Sequence, residues 1–267
     1  VTSWVLHEAE CISVLRTLAN RSVDVTLMDP PFEIEAHTKA RRSLVDSTQR
    51  RGTRNSGKVR RIDQPLEISF PPITPELRQA VANECARVTR RWVIAFCQIE
   101  AVGAWKDSFE AAGLEWVRGG IWRKPNGAPQ FTGDRPGQGF ECLAIAHVPV
   151  KGHMRWNGEG KHGVWTCPLD HGAGSGIRNE HPTQKPLALM LDLVDDFTEE
   201  GETVLDPFAG SGTTGVAALR RGRRFIGCEL DARYAALARE RLGAEEQGLT
   251  LSAARAGQLP MFAGAVR

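Results

Sequence analysis

The chain has 267 residues and a mass of 29.3 kDa, with 41% hydrophobic and 25% charged residues. That balance supports a sizeable core and excludes a disulfide miniprotein, a disordered tail and a coiled coil. The formal net charge of +2 names no partner by itself. No apolar run approaches the roughly 20 residues that span a bilayer, so no membrane contact is expected.

The N-terminus, VTSWVLHEAE, lacks the basic start and apolar centre of a signal peptide. Together with six scattered cysteines and no C-x-x-C pair, this points to a reducing, cytoplasmic setting. Cys11, Ile12, Val14, Leu15 and Leu18 follow helical spacing, and Val23–Met28 is a predicted strand running into Asp29-Pro30-Pro31-Phe32. From Glu33 to Pro65 nine basic residues face four acidic ones, the basic set being Lys39, Arg41, Arg42, Arg50, Arg51, Arg54, Lys58, Arg60 and Arg61. An apolar-poor basic segment on a mildly acidic body suits a loop facing a polyanion; a solvated insertion is the plainer alternative. Helices are predicted over Pro75–Arg90 and Ala101–Ala112, and strands over Trp92–Cys97, Glu115–Trp122 and Glu141–Val148.

Between Lys124 and Glu180 the chain turns rich in Gly, Pro, Asn, Gln, His and Arg, and is expected to form long loops. A helix then begins at Pro186 and runs to Phe197. Thr203–Asp206 is a short strand, a glycine-rich turn leads into a helix ending near Arg221, and Arg224–Glu229 is the next strand. Asp231 can cap the helix Ala232–Leu242, and the last fifteen or so residues form a tail. The alternation predicts an α/β fold with a doubly wound, mostly parallel sheet.

Two strand ends carry candidate chemistry. Asp206-Pro207-Phe208-Ala209-Gly210-Ser211-Gly212-Thr213-Thr214 lies between a strand and a helix, where glycines admit a ligand to the backbone and free N–H groups point outward. Gly210, Gly212 and Gly215 formally match G-x-G-x-x-G, and Glu229, at the end of the next strand, can take two ribose hydroxyls. Both NAD and S-adenosylmethionine carry that ribose. Asp206, however, would repel a pyrophosphate and attract the ammonium of a methionine moiety, which favours S-adenosylmethionine. At the other strand end, the Asp29 carboxylate beside the rigid Pro30 carbonyl is a double acceptor suited to an exocyclic aromatic amine. Phe32 offers a face on which a base can stack.

The two motifs, with His181-Pro182-Thr183-Gln184-Lys185-Pro186 before a helix, resemble the amino-methylating DNA methyltransferases, which modify adenine N6 or cytosine N4. With the catalytic motif ahead of the cofactor motif, the order resembles the permuted β class. The resemblance implies a single methyltransferase domain over 1–267 with the S-adenosylmethionine-dependent methyltransferase fold. Within it, 33–65 would be a DNA-facing loop, 124–180 the target-recognition loops and 250–267 the tail. It implies that Asp29, Pro30 and Pro31 present the acceptors to the amine and that Phe32 stacks on the base. Asp206 and the turn Phe208, Ala209, Gly210, Ser211, Gly212, Thr213, Thr214 would hold the methionine end of the cofactor, with Glu229 on the ribose. Thr183 and Lys185 would lie near the methionine carboxylate. Glu10, in Ala9-Glu10 where the family often has Gly-Asp, would touch adenine. Trp122 would be a second stacking aromatic or a core residue.

Asp at the first motif position accompanies adenine N6 in the family, and serine accompanies cytosine N4. The expected activity is therefore adenine-N6 methylation of double-stranded DNA by base flipping. Cytosine N4 and a catalytically silent DNA-binding regulator are the alternatives. Asn126, Arg135 and Arg155, with Gln130, Gln138 and Arg178, are candidate readers of base edges. A homodimer is expected, and Gln258-Leu259-Pro260-Met261-Phe262 is similar to peptides that dock on the bacterial sliding clamp. His153, His162, Cys167 and His171 match no standard ligand spacing, so no metal is expected.

Overall fold

The computed structural model describes residues 2–32, 72–127, 133–170 and 184–258. Their strands are β1 (Trp4–Glu8), β2 (Val25–Met28), β3 (Trp92–Cys97), β4 (Glu115–Arg123), β5 (Phe140–His147), β6 (Val164–Thr166), β7 (Thr203–Asp206) and β8 (Arg224–Glu229). They form one sheet in the order β1-β8-β7-β2-β3-β5-β4-β6. Neighbours from β1 to β3 run parallel, β5 runs antiparallel to β3 and β4, and β6 is parallel to β4.

Strand side chains alternate between two cores. Val25, Leu27, Trp92, Ile94 and Phe96 face one side, which is covered by α4 (Leu187–Phe197), α5 (Thr213–Arg220) and α6 (Ala232–Glu246). Met28, Val93, Ala95 and Cys97 face the other, covered by α1 (Cys11–Leu15), α2 (Pro75–Val88) and α3 (Val102–Ala111). Strands β2, β3 and β7 are buried along their whole length, β2 and β3 with nearly unbroken apolar sequences and β7 with Thr203 and Asp206 at its ends. All six cysteines are buried free thiols. Among the described residues no helix is long and apolar enough to cross a membrane.

The doubly wound sheet matches the sequence expectation, with a few local differences. Strand β2 starts at Val25 because Asp24 turns its carboxylate onto the Thr203 N–H at 2.8 Å and onto Arg90 at 2.9 Å. Helix α6 continues to Glu246, and α7 (Leu251–Arg255) occupies part of the expected tail, capped by Thr250. The short strand β6 lies inside the expected loop region because Trp165, 2% exposed, packs its indole in the core beside Phe197 and donates to Asp196.

The strand order places β7 beside β2, although the chain leaves β7 for β8 on one side and β2 for β3 on the other. A crevice at such a switch point, outside the carboxyl ends of the strands, is where ligands bind in this architecture.

Candidate active site

Four acids stand at the carboxyl ends of four adjacent strands: Glu10 after β1, Glu229 ending β8, Asp206 ending β7 and Asp29 after β2. Glu8 pairs in register with Glu229, and Val25 and Thr26 with Val204 and Leu205, so these ends are level.

Asp206 is 1% exposed. It accepts from the Phe208 N–H at 3.0 Å and from Thr214 Oγ1 at 2.6 Å. Burial pushes its pKa up to about 7, against those two hydrogen bonds and with the charges of Asp29 and Glu229 adding to the rise. Glu229 accepts from the Gly210 N–H and the Asp231 N–H, each at 2.8 Å, and partial burial raises its pKa. Each of its oxygens keeps a lone pair for a hydroxyl donor. Buried Ser211, Thr213 and Thr214 line the turn, where Gly210 (φ 53°) and Gly212 (φ 78°) take left-handed backbone. A side chain at Gly215 would lie 2.6 Å from Leu242 and 2.7 Å from the Phe225 ring, so this glycine lets α5 press onto the sheet.

Two residues that sequence reasoning passed over fix this turn. Arg241 on α6 donates to the Ser211 carbonyl (2.7 Å), Ser211 Oγ (2.8 Å) and Thr213 Oγ1 (3.0 Å). Gln184 accepts from Ser211 Oγ at 3.1 Å, which ties the third motif to the cofactor turn.

The acceptor side is built on β2. Pro30 is buried, and Asp29, Pro31 and Phe32 are half-buried. Lys185, expected beside the cofactor's methionine carboxylate, instead sets its ammonium 2.6 Å from Asp29 Oδ2 and 3.2 Å from Glu141 Oε2. Glu141 in turn accepts from Lys124 at 2.5 Å. Partial burial raises the Asp29 pKa; Lys185 opposes the rise and the Glu141 charge adds to it. Burial also works against the Glu141 carboxylate, but Lys185 and Lys124 together hold it below the usual carboxylate range. Lys185 stays protonated, because Asp29 and Glu141 outweigh its desolvation.

Other expected site residues fall elsewhere. Trp122 is 1% exposed, donates to the Cys167 carbonyl at 2.8 Å and packs edge-on to Phe96, so it is a core residue and not a platform for a base. Glu10 caps α1, accepting from the Ile12 and Ser13 N–H groups, and its surface position leaves it exposed at the end of the acidic row. Asn126 holds the Leu169 carbonyl at 3.0 Å and the Leu169 N–H at 2.6 Å, so its amide braces two loops and is not presented to base edges. The carbonyl of Arg155 accepts from the Trp92 indole at 2.7 Å, at the amino end of β3, and its guanidinium pairs with Glu199. That is the opposite edge of the sheet from Asp29, which removes Arg155 from the catalytic edge. Arg135, exposed and paired with Asp134, lies between β4 and β5 on the catalytic edge. Thr183, Lys39, Arg41, Arg42, Arg50, Arg51, Arg54, Gln130, Arg178 and Leu259–Phe262 lie outside the described residues.

A mostly parallel sheet with acids at its switch point, a glycine turn into a helix and an Asp-Pro-Pro-Phe acceptor is the arrangement of an S-adenosylmethionine-dependent methyltransferase. The DNA methylase family profile matches residues 23–240. The chain belongs to that family, the DNA methyltransferases of adenine N6 and cytosine N4. It is 30% identical over 253 residues to methylase YubD of Escherichia coli K12, covering 92% of this chain and 93% of the relative. It is 29% identical over 254 residues to the type II methyltransferase M.HinfI of Haemophilus influenzae, covering 88% and 67%. Among solved structures it resembles the M1.HpyAVI–SAM complex, with a TM-score of 0.63 and 24% identity over 90% of this chain and 98% of that one. It also resembles the cytosine-N4-specific PvuII DNA methyltransferase, with a TM-score of 0.65 and 13% identity over 90% and 86%.

Proposed function

We propose that this DNA methyltransferase acts on adenine N6 in duplex DNA, taking the base out of the stack. The observation that carries the reading is the Asp29 carboxylate and the rigid Pro30 at the end of β2, one strand away from buried Asp206 at the switch point. A flipped adenine stacked on Phe32 would give its two N6 hydrogens to Asp29 and to the Pro30 carbonyl, leaving the nitrogen lone pair directed away from the ring. The donor set of the neighbouring half-site fits S-adenosylmethionine: a buried acid for an ammonium, and a strand-end carboxylate with acceptor capacity for two ribose hydroxyls. That cofactor supplies an electrophilic methyl group when bound. Asp29 need not be a strong base, because a nitrogen that has gained positive charge loses its proton readily.

Adenine is preferred over cytosine N4 on the aspartate at position 29. The same acceptor pair would serve either amine, so the test must identify the base. The purified protein is incubated with methyl-labelled S-adenosylmethionine and unmethylated bacterial genomic DNA, and the DNA is digested to nucleosides for mass spectrometry. Labelled N6-methyladenine is expected. Labelled N4-methylcytosine would overturn the base assignment, and no label with cofactor bound would favour a silent regulator.

The basic segment holding Lys39, Arg41, Arg42, Arg50, Arg51 and Arg54 begins directly after Phe32 in the sequence and supplies phosphate contacts in this reading, as does Arg135. A two-fold homodimer and docking of Gln258–Phe262 on a sliding clamp belong to the same reading. Unchanged clamp affinity after deletion of those five residues would remove the second.

A further inference from the structure

Asp29, Lys185, Glu141 and Lys124 form a chain of alternating charges, a pairing that the motifs do not account for. Lys185 is 8% exposed and sits between two carboxylates, Asp29 from the end of β2 and Glu141 from the start of β5. Its ammonium also lies 4.9 Å from the Phe96 ring centroid and 5.5 Å from that of Phe32, the ring offered to the base. Glu141 is braced from its far side by Lys124, which rests over Trp122 at 4.5 Å. Glu141 Oε2 is buried, with Lys185 as its ion-pair partner and no better-aligned hydrogen bond.

A lysine has three donors and rotates freely when solvated. Here two carboxylates from different strands and two aromatic faces fix where its charge can be. Asp29 Oδ2 is thereby held in one place, and among the described residues no hydrogen bond occupies Oδ1. We infer that Lys185 is a positioning residue for Asp29, seated by Glu141 and Lys124, which orients the carboxylate toward the target amine and keeps it ionised. The inference rests on the acceptor role of Asp29 proposed above. It places the lysine on the base side of the site and not on the cofactor side.

The geometry makes the role electrostatic as well as steric. Among the described residues, the cations acting on Asp29 are Lys185, at contact distance, and Lys124, while the neighbouring acids are Glu141 on β5 and Asp206 at the end of β7. Removing the Lys185 charge would leave Asp29 facing two anions. Its proton affinity would rise, and a protonated Asp29 offers a weaker acceptor to the amine.

The test uses the purified full chain, labelled S-adenosylmethionine and unmethylated genomic DNA, with kcat measured against pH and cofactor affinity measured at equilibrium. Lys185→Met is expected to lower kcat about a hundredfold while leaving cofactor affinity within about threefold. The acidic limb of its kcat profile should move up by about one to three pH units. Lys185→Arg should keep the limb near its wild-type position. Adding Glu141→Gln to Lys185→Met should bring the limb part of the way back, since Asp29 then faces one anion fewer. Should Lys185→Met not fold, Lys185→Gln, which keeps a polar donor at the position without the charge, carries the test: its limb should also move up, and an unmoved limb overturns the inference. For Lys185→Met, an unmoved limb, or weakened cofactor binding with unchanged kcat at saturation, overturns it too. A wild-type protein that labels no base overturns the functional reading and the inference together, whereas an active wild type with an unmoved limb overturns the inference alone.

Discussion

The Thr214 hydroxyl donates to Asp206 Oδ2 at 2.6 Å, joining the first turn of α5 to the end of β7. The bond holds a buried carboxylate over the crevice with a pKa near neutrality, and it gives the cofactor half-site a definite pH behaviour.

Binding an ammonium beside Asp206 favours its ionised form. Cofactor affinity should therefore be level above about pH 7 and fall as pH drops below it, with a proton released on binding in that lower range. Calorimetry in buffers of different ionisation enthalpy measures that proton, and a pH-independent affinity would contradict the assignment. The effect on folding has its own sign. The folded pKa is raised from 3.8 to about 7, so the contribution of Asp206 to the stability of the cofactor-free protein is full below pH 3.8 and is lost as pH rises through about 7.

On the proposed reading, Asp29→Ala removes one of the two acceptors for the amine without touching the Asp206 turn. Methyl transfer should fall by at least about a hundredfold, with cofactor binding retained. Equilibrium dialysis with labelled cofactor, run beside the methylation assay, separates the two; substantial residual turnover would sink the role given to Asp29.

Gly215→Ala would place a methyl group 2.6 Å from Leu242 and 2.7 Å from Phe225, both in the core between α5, α6 and β8. The expected loss is about 1–3 kcal/mol of stability, from overpacking. A thermal melt without cofactor reads it directly, and an unchanged midpoint would mean that the helix can lift from the sheet at no cost.

Asn126→Ala breaks both bonds to Leu169, each worth about 1 kcal/mol. Since the amide braces loops, amide exchange at Leu169 should quicken and the methylation rate should fall severalfold, while the sequence context of the methylated bases stays the same. A changed context, read by sequencing methylated genomic DNA, would return Asn126 to the base edge.

Neutralising Arg50, Arg51 and Arg54 together should weaken DNA binding for every sequence. If each meets one phosphate, the slope of log affinity against log salt should shrink by about 2 to 3. Titrations at several salt concentrations measure the slope, and an unaltered value would place these charges away from the duplex.

Much of the cofactor half was legible in the residues themselves. Thr203–Asp206 and Arg224–Glu229 end in acids, and Asp231 caps the next helix as its position suggests, because local spacing decides all three. Glu141 was not legible. A charged residue opening a strand looks like the end of a turn, and only the reversed direction of β5 carries it to the edge where Asp29 ends its own strand. The same reversal explains the split in the region from 124 to 180. The described ends of the connection between β4 and β5, and residues 167–170 after β6, lie on the same edge as Asp29, whereas the connection between β5 and β6 lies on the far one, with Arg155 in it. Trp122 was ambiguous for a related reason, since the indole partner, the Cys167 carbonyl, lies 45 residues away.

Strand β2, which runs into Asp29-Pro30-Pro31-Phe32, lies between β3 and β7, and β7 begins at Thr203. A chain emerging from the ribosome thus completes β2 and its motif long before β7, the second neighbour of that strand, is made. Until then Val25, Thr26, Leu27 and Met28 form an open, apolar sheet border, the kind of surface on which growing chains pair wrongly with one another. The cofactor cradle and the missing neighbour arrive on the same stretch of polypeptide, so the step that closes the sheet is also the step that first brings donor and acceptor together. A partly made chain therefore has no means of methylating anything.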